Sequence, residues 1–376
     1  MVSSTHTSRP TPHFPFSAAD HAYMARALRL AERGLYTTTP NPRVGCVIVR
    51  DGRVVGEGWH ARAGSPHAEV IALRQAGAAA RGATVYVSLE PCSHYGRTPP
   101  CAHALIDAGV ARVVAAVRDP NPQVAGRGIE LLTLAGIRAE VGLLEQEARE
   151  LNIGFFSRMT RGRPWVRIKT AASLDGKTAL ENGASKWITG EAARADVHRW
   201  RARACAILTG VGTVCADDPR MNVRGIDTPR QPIKVVVDSR LATPPSARIL
   251  AGGALIACAQ AEHARRCELK AVGAEVIELP DANGRVDLER LLTELGRRGV
   301  NEVHVEAGAT LNGALLAGGW VDEWLAYVAP TVLGHRARGL FELPALADMS
   351  ARRDFVLHEL KHLGEDLRLL LRPQPV

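Results

Sequence analysis

An α/β protein of two domains is predicted by three features of the chain. It has 376 residues, 46% of them apolar, which is enough for two separate cores. Alternating strand and helix patterns run along it twice. Between the runs, near Met159 to Pro164, the sequence turns to Arg-Gly-Arg-Pro. The divisions expected are a tail over 1–16, a first domain over 17–160 and a second over 165–376.

The elements follow in order. Residues 1–16 are rich in Ser, Thr, Pro and His and lack the apolar stretch of a secretory signal, so a frayed tail on a cytoplasmic protein is expected. Ala22, Ala25, Leu28 and Leu30 recur near helical spacing, and Gly34 ends that helix. Val44 to Val49, an Asp51-Gly52 turn and Val54 to Trp59 predict a hairpin. Strands at Thr84–Leu89, Arg112–Val117 and Arg138–Val141 then alternate with helices near His67–Ala79 and Cys101–Ala108, giving a three-layer α/β domain. In the second domain, strands are expected near Val166, Ala206, Lys234, Ala254, Glu275, Glu302, Glu323, Phe355 and Leu367. Helices are expected at Glu191–Arg203, His263–Val272, Leu288–Arg297 and Leu311–Ala317.

Composition excludes several classes. No stretch approaches the ~20 apolar residues of a membrane span. Seven Cys in a chain this long do not make a disulfide framework. The net charge is +8, but 41 of the 47 basic residues are Arg and they are scattered. A nucleic-acid channel would concentrate them and interleave aromatics, which are 5% of the chain. A small anionic substrate fits this distribution better than a polymer.

Chemistry concentrates in the first domain. His67-Ala-Glu69 opens a predicted helix, Pro91-Cys92 follows a predicted strand, and Cys101 comes nine residues later. One His and two Cys suit Zn²⁺ and leave a fourth position for water, as in a catalytic site. Glu69, beside the metal rather than on it, can move a proton from water to a leaving amino group, the arrangement of zinc deaminases. A structural zinc with His94 as fourth ligand would leave Glu69 without a role. Eight residues separate the two Cys, where many deaminases have two. That departs from nucleoside and nucleic-acid base deaminases and adds His94 and Arg97 near the metal. A non-catalytic zinc-stabilised binding protein is the alternative of another class, and Glu69 speaks against it.

The run Pro91-Cys-Ser-His-Tyr-Gly-Arg-Thr-Pro-Pro-Cys101, preceded by Thr39-Pro-Asn-Pro-Arg-Val-Gly-Cys-Val47, His60 and His67-Ala-Glu69, resembles the bifunctional riboflavin-biosynthesis deaminase/reductase family. The resemblance extends from about Asp20 to the C-terminus. It implies a cytidine-deaminase-like first domain with one zinc at His67, Cys92 and Cys101, and Glu69 as the proton shuttle. The implied substrate is a diaminopyrimidinone carrying ribosylamino 5′-phosphate, contacted by Asn41, His60, His94 and Arg97.

Taken alone, the second domain is less informative. Gly210-Val-Gly-Thr-Val-Cys215 lacks the third small residue and acidic partner of a Rossmann fingerprint. Val305-Glu-Ala-Gly308 followed by a helix start is a better anion site. Lys169-Thr-Ala-Ala-Ser-Leu-Asp-Gly-Lys177, Ser185-Lys-Trp-Ile-Thr189, Thr209-Gly-Val-Gly-Thr-Val-Cys-Ala-Asp-Asp-Pro219 and Val305-Glu-Ala-Gly308 are similar to the reductase half of the same family. That half implies a dihydrofolate-reductase-like fold using NADPH to reduce ribosyl to ribityl. The resemblance implies cofactor contacts at Ala171, Trp187, Thr213, Asp217, Ser239, Gly308, Ala309, Thr310, Leu311 and Asn312. It implies substrate contacts at Lys169, Ser185, Arg201, Met221, Arg224 and Glu306, and a homo-oligomeric assembly.

Overall fold

The computed structural model describes residues 16–93, 100–122 and 124–374. They form two compact units. The first holds the described residues up to Gly34 together with 43–60 and 64–151; the second holds 35–42, 61–63 and the chain from Asn152 onward.

In the first unit, helix α1 (Ala18–Glu32) starts on a capping box. Ser17 Oγ accepts from the Asp20 N–H (3.1 Å), and Asp20 accepts from the Ser17 N–H (2.8 Å). Strands β1 (Gly45–Arg50) and β2 (Arg53–Trp59) meet at a turn whose Asp51 and Gly52 both have positive φ, 50° and 73°. That is the twist a two-residue hairpin needs. Helix α2 (Ala68–Ala76) leads to β3 (Thr84–Val87), α3 (Cys101–Asp107) to β4 (Arg112–Ala115), and α4 (Arg127–Leu134) to β5 (Arg138–Val141). The sheet order is β2-β1-β3-β4-β5, antiparallel about β1 and parallel from β3 to β5. A short helix α5 (Glu145–Leu151) ends the unit.

The helices lie on both faces at backbone contact. A Cβ on Gly45 would fall 2.0 Å from the Ala27 carbonyl oxygen of α1. On the opposite face, Cβ atoms on Gly56 and Gly58 would fall 2.2 and 2.3 Å from the Ala72 and Ala68 carbonyl oxygens of α2. Cys46, Ile48, Ala68, Ala72, Leu105, Val113 and Leu132 form the core beneath α2, α3 and α4. The expected three layers are present.

The second unit opens with α6 (Ile153–Arg161), stopped by Gly162 in the left-handed region. The short α5 and α6 were not expected from the sequence, because the break at Asn152 leaves each only two turns or so of periodicity. The strands are β6 (Trp165–Ser173), β7 (Lys177–Ala179), β8 (Ala206–Gly210), β9 (Ile233–Val237), β10 (Ala254–Cys258), β11 (Ala274–Glu278), β12 (Glu302–Val305), β13 (Glu323–Ala329), β14 (Arg338–Gly339), β15 (Phe355–Leu363) and β16 (Asp366–Pro373). Nine form one sheet in the order β11-β10-β9-β8-β12-β6-β13-β16-β15. Seven of these, β11 to β13 in that order, are parallel, and β16 and β15 add an antiparallel hairpin. The helices are α7 (Glu191–Arg203), α8 (Val211–Asp217), α9 (His263–Ala271), α10 (Leu288–Arg297) and α11 (Ala309–Ala317). The Gly210-Val-Gly segment, which lacks a full Rossmann fingerprint, is the entry to α8.

The two faces of the central strands differ. Val166, Ile168, Val303 and Val305 pack on Leu291, Leu292 and Leu295 of α10 and on Leu315 and Leu316 of α11. The alternate residues Arg167 and Glu302 are buried as ions. Arg167 pairs with Glu302 (3.1 Å) and with Glu323, Arg203 also reaches Glu302 (2.8 Å), and Arg372 reaches Glu323 (3.0 Å). Each buried charge therefore has a partner, as burial demands.

The glycine contacts under α2 generate a prediction. Gly58→Ala should lower the stability of the first unit by about 2 kcal/mol, within the range for overpacking. Site-resolved hydrogen exchange should show the loss in α2 and β2 while the second unit keeps its protection.

Candidate functional site

Three segments of the first unit converge on one point. His67 is the residue before α2; its backbone is extended (φ −71°, ψ 161°) and its ring does not cap the helix. Cys101 is the first residue of α3, and Cys92 lies on the segment leaving β3. His67 Nδ1 is 3.2 Å from Cys101 Sγ and 3.6 Å from Cys92 Sγ, and the three ligand atoms lie within 4.8 Å of one another. Nitrogen and sulfur atoms around a tetrahedral zinc are about 3.5 Å apart, so the set fits that ion. The Cys101 N–H donates to Cys92 Sγ (3.3 Å). The Cys92 thiol is pushed down to about 4 by its hydrogen bond with Cys101, against burial and with help from His67. The buried Cys101 thiol is pushed up by the same bond.

Glu69, on the first turn of α2, is 3% exposed. Burial raises its carboxyl to about 7, the Cys92 charge adds to this and His67 opposes it. A carboxyl poised there can take and return a proton near neutral pH. His60 is buried, 5.4 Å ring to ring from His67 and nearly perpendicular to it, with Nδ1 3.2 Å from the Pro66 carbonyl. Burial lowers its basicity, with the neighbouring His67 adding to that effect. The expected contacts His94 and Arg97 lie outside the described residues. Asn41 groups with the second unit, where its N–H donates to the Thr38 carbonyl (2.9 Å).

One buried group here was missed from the sequence. Glu90, two residues before Cys92, accepts four backbone N–H bonds from Asp119, Gly126, Gly128 and Ile129. A charged residue in Leu-Glu-Pro-Cys at the end of an apolar strand was the only signal.

The second unit gathers ions at the carboxyl ends of β8 and β12, beside the middle of β6. Arg201 of α7 grips Glu306 with both ends of its fork (2.5 and 2.8 Å) and reaches the Asn222 carbonyl (3.0 Å). Lys169 Nζ is 3.9 Å from the same carboxylate, and Thr209 Oγ1 donates to the Glu306 carbonyl (2.7 Å). Burial would raise the Glu306 carboxyl, yet Arg201 and Lys169 hold it well below its ordinary value. Burial lowers Lys169, with Glu306 opposing. Arg224 joins through Asn222 Oδ1 (2.7 Å), and its N–H donates to His198 Nδ1 (3.1 Å). Met221 precedes Asn222 but is buried in a core cluster with Ile207, Val214 and Leu241. Ser185 is half-buried in the loop before Trp187.

The residues expected to hold NADPH are spread over several elements of the second unit. Helix α11 starts at Gly308 with extended backbone and no side-chain cap, and a Cβ on Gly308 would meet nothing nearer than Thr213 Oγ1 at 4.0 Å. An uncapped helix start with room for close approach fits a phosphate. Behind it, the buried Asn312 donates to the Ala307 carbonyl (3.1 Å) and keeps Oδ1 unpartnered. Ala309 and Leu311 belong to the first turn, where Thr310 bonds Glu342 (2.7 Å). Trp187, 71% exposed, lines a cavity of about 540 Å³ with Thr189, Gly190 and Pro330, and the Arg194 guanidinium lies 4.6 Å from its ring. Ala171 is on β6, Asp217 ends α8 at the surface, and Ser239 follows β9, where its carbonyl accepts from Ala259 and Gln260 (both 3.1 Å).

Comparison with known proteins agrees with both halves. Residues 17–117 match the cytidine and deoxycytidylate deaminase zinc-binding region, and residues 164–369 match the RibD C-terminal domain. The riboflavin biosynthesis protein RibD of Escherichia coli K12 is 50% identical over 364 residues, covering 94% of this chain and 99% of that protein. The Aquifex aeolicus protein of the same name is 42% identical over 357 residues, covering 94% and 98%. The structure of Acinetobacter baumannii RibD superposes with a TM-score of 0.89 at 47% identity, covering 95% of this chain and 99% of that one. A diaminohydroxyphosphoribosylaminopyrimidine deaminase/5-amino-6-(5-phosphoribosylamino)uracil reductase from Thermotoga maritima gives 0.84 at 33% identity, with the same coverage. With a zinc-type ligand set beside a buried carboxyl in one unit and an uncapped helix start and an ion cluster in the other, the chain belongs to the RibD family, the bifunctional riboflavin-biosynthesis enzymes that join a zinc-dependent deaminase to an NADPH-dependent reductase.

Proposed function

We propose that residues 17–160 hydrolytically deaminate 2,5-diamino-6-ribosylamino-4(3H)-pyrimidinone 5′-phosphate, and that residues 165–376 reduce the ribosyl group of the product to ribityl. The observation that carries the first step is the convergence of His67, Cys92 and Cys101 within 4.8 Å beside a buried Glu69. These three residues would hold the zinc, which supplies the Lewis acidity that makes water nucleophilic at neutral pH. Glu69 accepts the proton of the attacking water and returns it to the departing amino group, leaving as ammonia. His60, its basicity lowered by burial, packs edge-on against His67, and it, Asn41, His94 and Arg97 are assigned to the substrate by family resemblance.

In the second unit NADPH supplies the hydride for the sugar C1′. Gly308 to Asn312, Thr213, Ala171, Trp187, Asp217 and Ser239 would hold it. Arg201 and Arg224 are assigned to the phosphate monoester by resemblance and suit it by charge; the Arg201 fork itself is held by Glu306. Glu306 fixes Arg201 from behind, Lys169 borders the same carboxylate, and Ser185 and Met221 complete the assigned substrate contacts. No described helix is long and apolar enough to cross a membrane.

The deciding assay supplies the diaminopyrimidinone nucleotide to purified zinc-loaded protein. Ammonia should appear without NADPH, and NADPH oxidation should follow only when it is added; no ammonia despite bound zinc would refute the scheme. Glu69→Gln should retain zinc, lose deamination by about 10²–10⁴-fold, and still reduce supplied deaminated intermediate. Loss of zinc in that variant would reassign the residue. Arg201→Ala should impair reduction of the phosphorylated intermediate and leave ammonia release unchanged. The depressed Glu306 carboxyl stabilises the fold above its ordinary value of 4.5, and this is lost as pH falls below it. The stability deficit of Arg201→Ala against wild type should therefore be larger at pH 7 than at pH 4, measured by urea unfolding.

A further inference from the structure

Four main-chain donors end on a single carboxylate in the first unit. Glu90 is 3% exposed. Its Oε2 accepts from the N–H groups of Asp119 (3.1 Å) and Gly126 (3.0 Å), and its Oε1 from those of Gly128 (2.9 Å) and Ile129 (3.2 Å). Gly126 and Gly128 bracket the start of α4, so the carboxylate takes up donors that a helix start leaves without partners. The Glu90 N–H donates in turn to the Val117 carbonyl (2.9 Å) beyond β4.

The same segment also grips the next residue. A Cβ on Gly128 would fall 2.0 Å from the Pro91 carbonyl oxygen and 3.2 Å from Glu90 Oε1. Only glycine lets the turn close over this peptide. Cys92 follows directly. Its carbonyl accepts from the Ala102 N–H (3.1 Å) and its Sγ from the Cys101 N–H (3.3 Å). One side of Cys92 is thus fixed by α3 and the other by Glu90 and Pro91. Both carboxylate oxygens are used as acceptors, so an amide in the same place would turn an NH₂ group toward two donors.

We propose that Glu90 is a positioning residue for the metal ligand Cys92. Through the 119–129 segment it sets where Cys92 Sγ stands relative to His67 Nδ1 and Cys101 Sγ. The proposal rests on the zinc-ligand assignment made above. Glu90 acts through the chain on the ligand and is not a catalytic residue.

Two experiments on the full-length protein test it, the first with a Glu90→Gln variant and the second with the wild type. Zinc affinity of Glu90→Gln, by competition with a chromogenic chelator, should fall about 10–100-fold, the usual effect of losing a group that orients a ligand. The visible absorption bands of the cobalt-substituted variant should shift, while NADPH oxidation on supplied deaminated intermediate stays at the wild-type rate. Unchanged affinity and an unchanged cobalt spectrum would show that Glu90 only braces the fold, overturning the proposal. The second experiment needs no variant and stands even if Glu90→Gln fails to fold. Coupling between sites is reciprocal, so zinc loading of wild-type protein should slow amide exchange in 119–129 relative to chelator-treated protein. Equal exchange in the two states would overturn the proposal. A His67→Ala variant that binds zinc as tightly as wild type would refute the ligand assignment, and this proposal with it.

Discussion

The first unit depends on a contact made chiefly by main chain. Helix α2 rests on β2 through the carbonyls of Ala68 and Ala72 against Gly56 and Gly58, and any Cβ on the strand side would be driven into the helix backbone. This closeness fixes both the height and the rotation of α2 over the sheet. His67 and Glu69 lie at its first turn, so their distance from the two cysteines is set by where the helix can sit. A site that must hold three atoms within a few ångströms gains from such a stiff reference, because packed backbone has little room to adjust.

The second unit solves a related problem with charge. Strands β6 and β12 give one face to the leucines of α10 and α11 and the other to ions beneath α7. Following the same alternation past Arg167 and Glu302 leads to Lys169 and Glu306. The Lys169–Glu306 pair is therefore a further row of a polar layer that starts deep in the fold. Arg201 sits one half-turn from Arg203 on α7, so one helix serves both the Glu302 network and the Glu306 cluster.

The convergence of His67, Cys92 and Cys101 beside a buried Glu69 was legible in the sequence because their spacing is local to helix starts and a strand end, where geometry follows directly from pattern. The layers of the first unit were equally legible from the hairpin and the alternation that follows it. Glu90 was not, since its partners are main-chain groups 29 to 39 residues away and carry no side-chain signature. The Lys169, Arg201 and Glu306 cluster came from resemblance alone, because β6, α7 and β12 are brought together only by the strand order. Met221 was likewise assigned by resemblance, and its side chain packs with Ile207, Val214 and Leu241.

The placement of tryptophan and arginine has an optical consequence. Trp59, under the Arg33 guanidinium at 3.6 Å, is the sole indole of the first unit. The other five of the six belong to the second, where Trp200 alone faces Arg167, Arg203 and Arg368 at 4.4 to 5.5 Å. Intrinsic fluorescence thus weights the two units one to five in number of emitters. A melting curve recorded that way can look like a single transition while the deaminase half has already opened, and a Trp59→Phe difference signal is the channel through which that half can be watched.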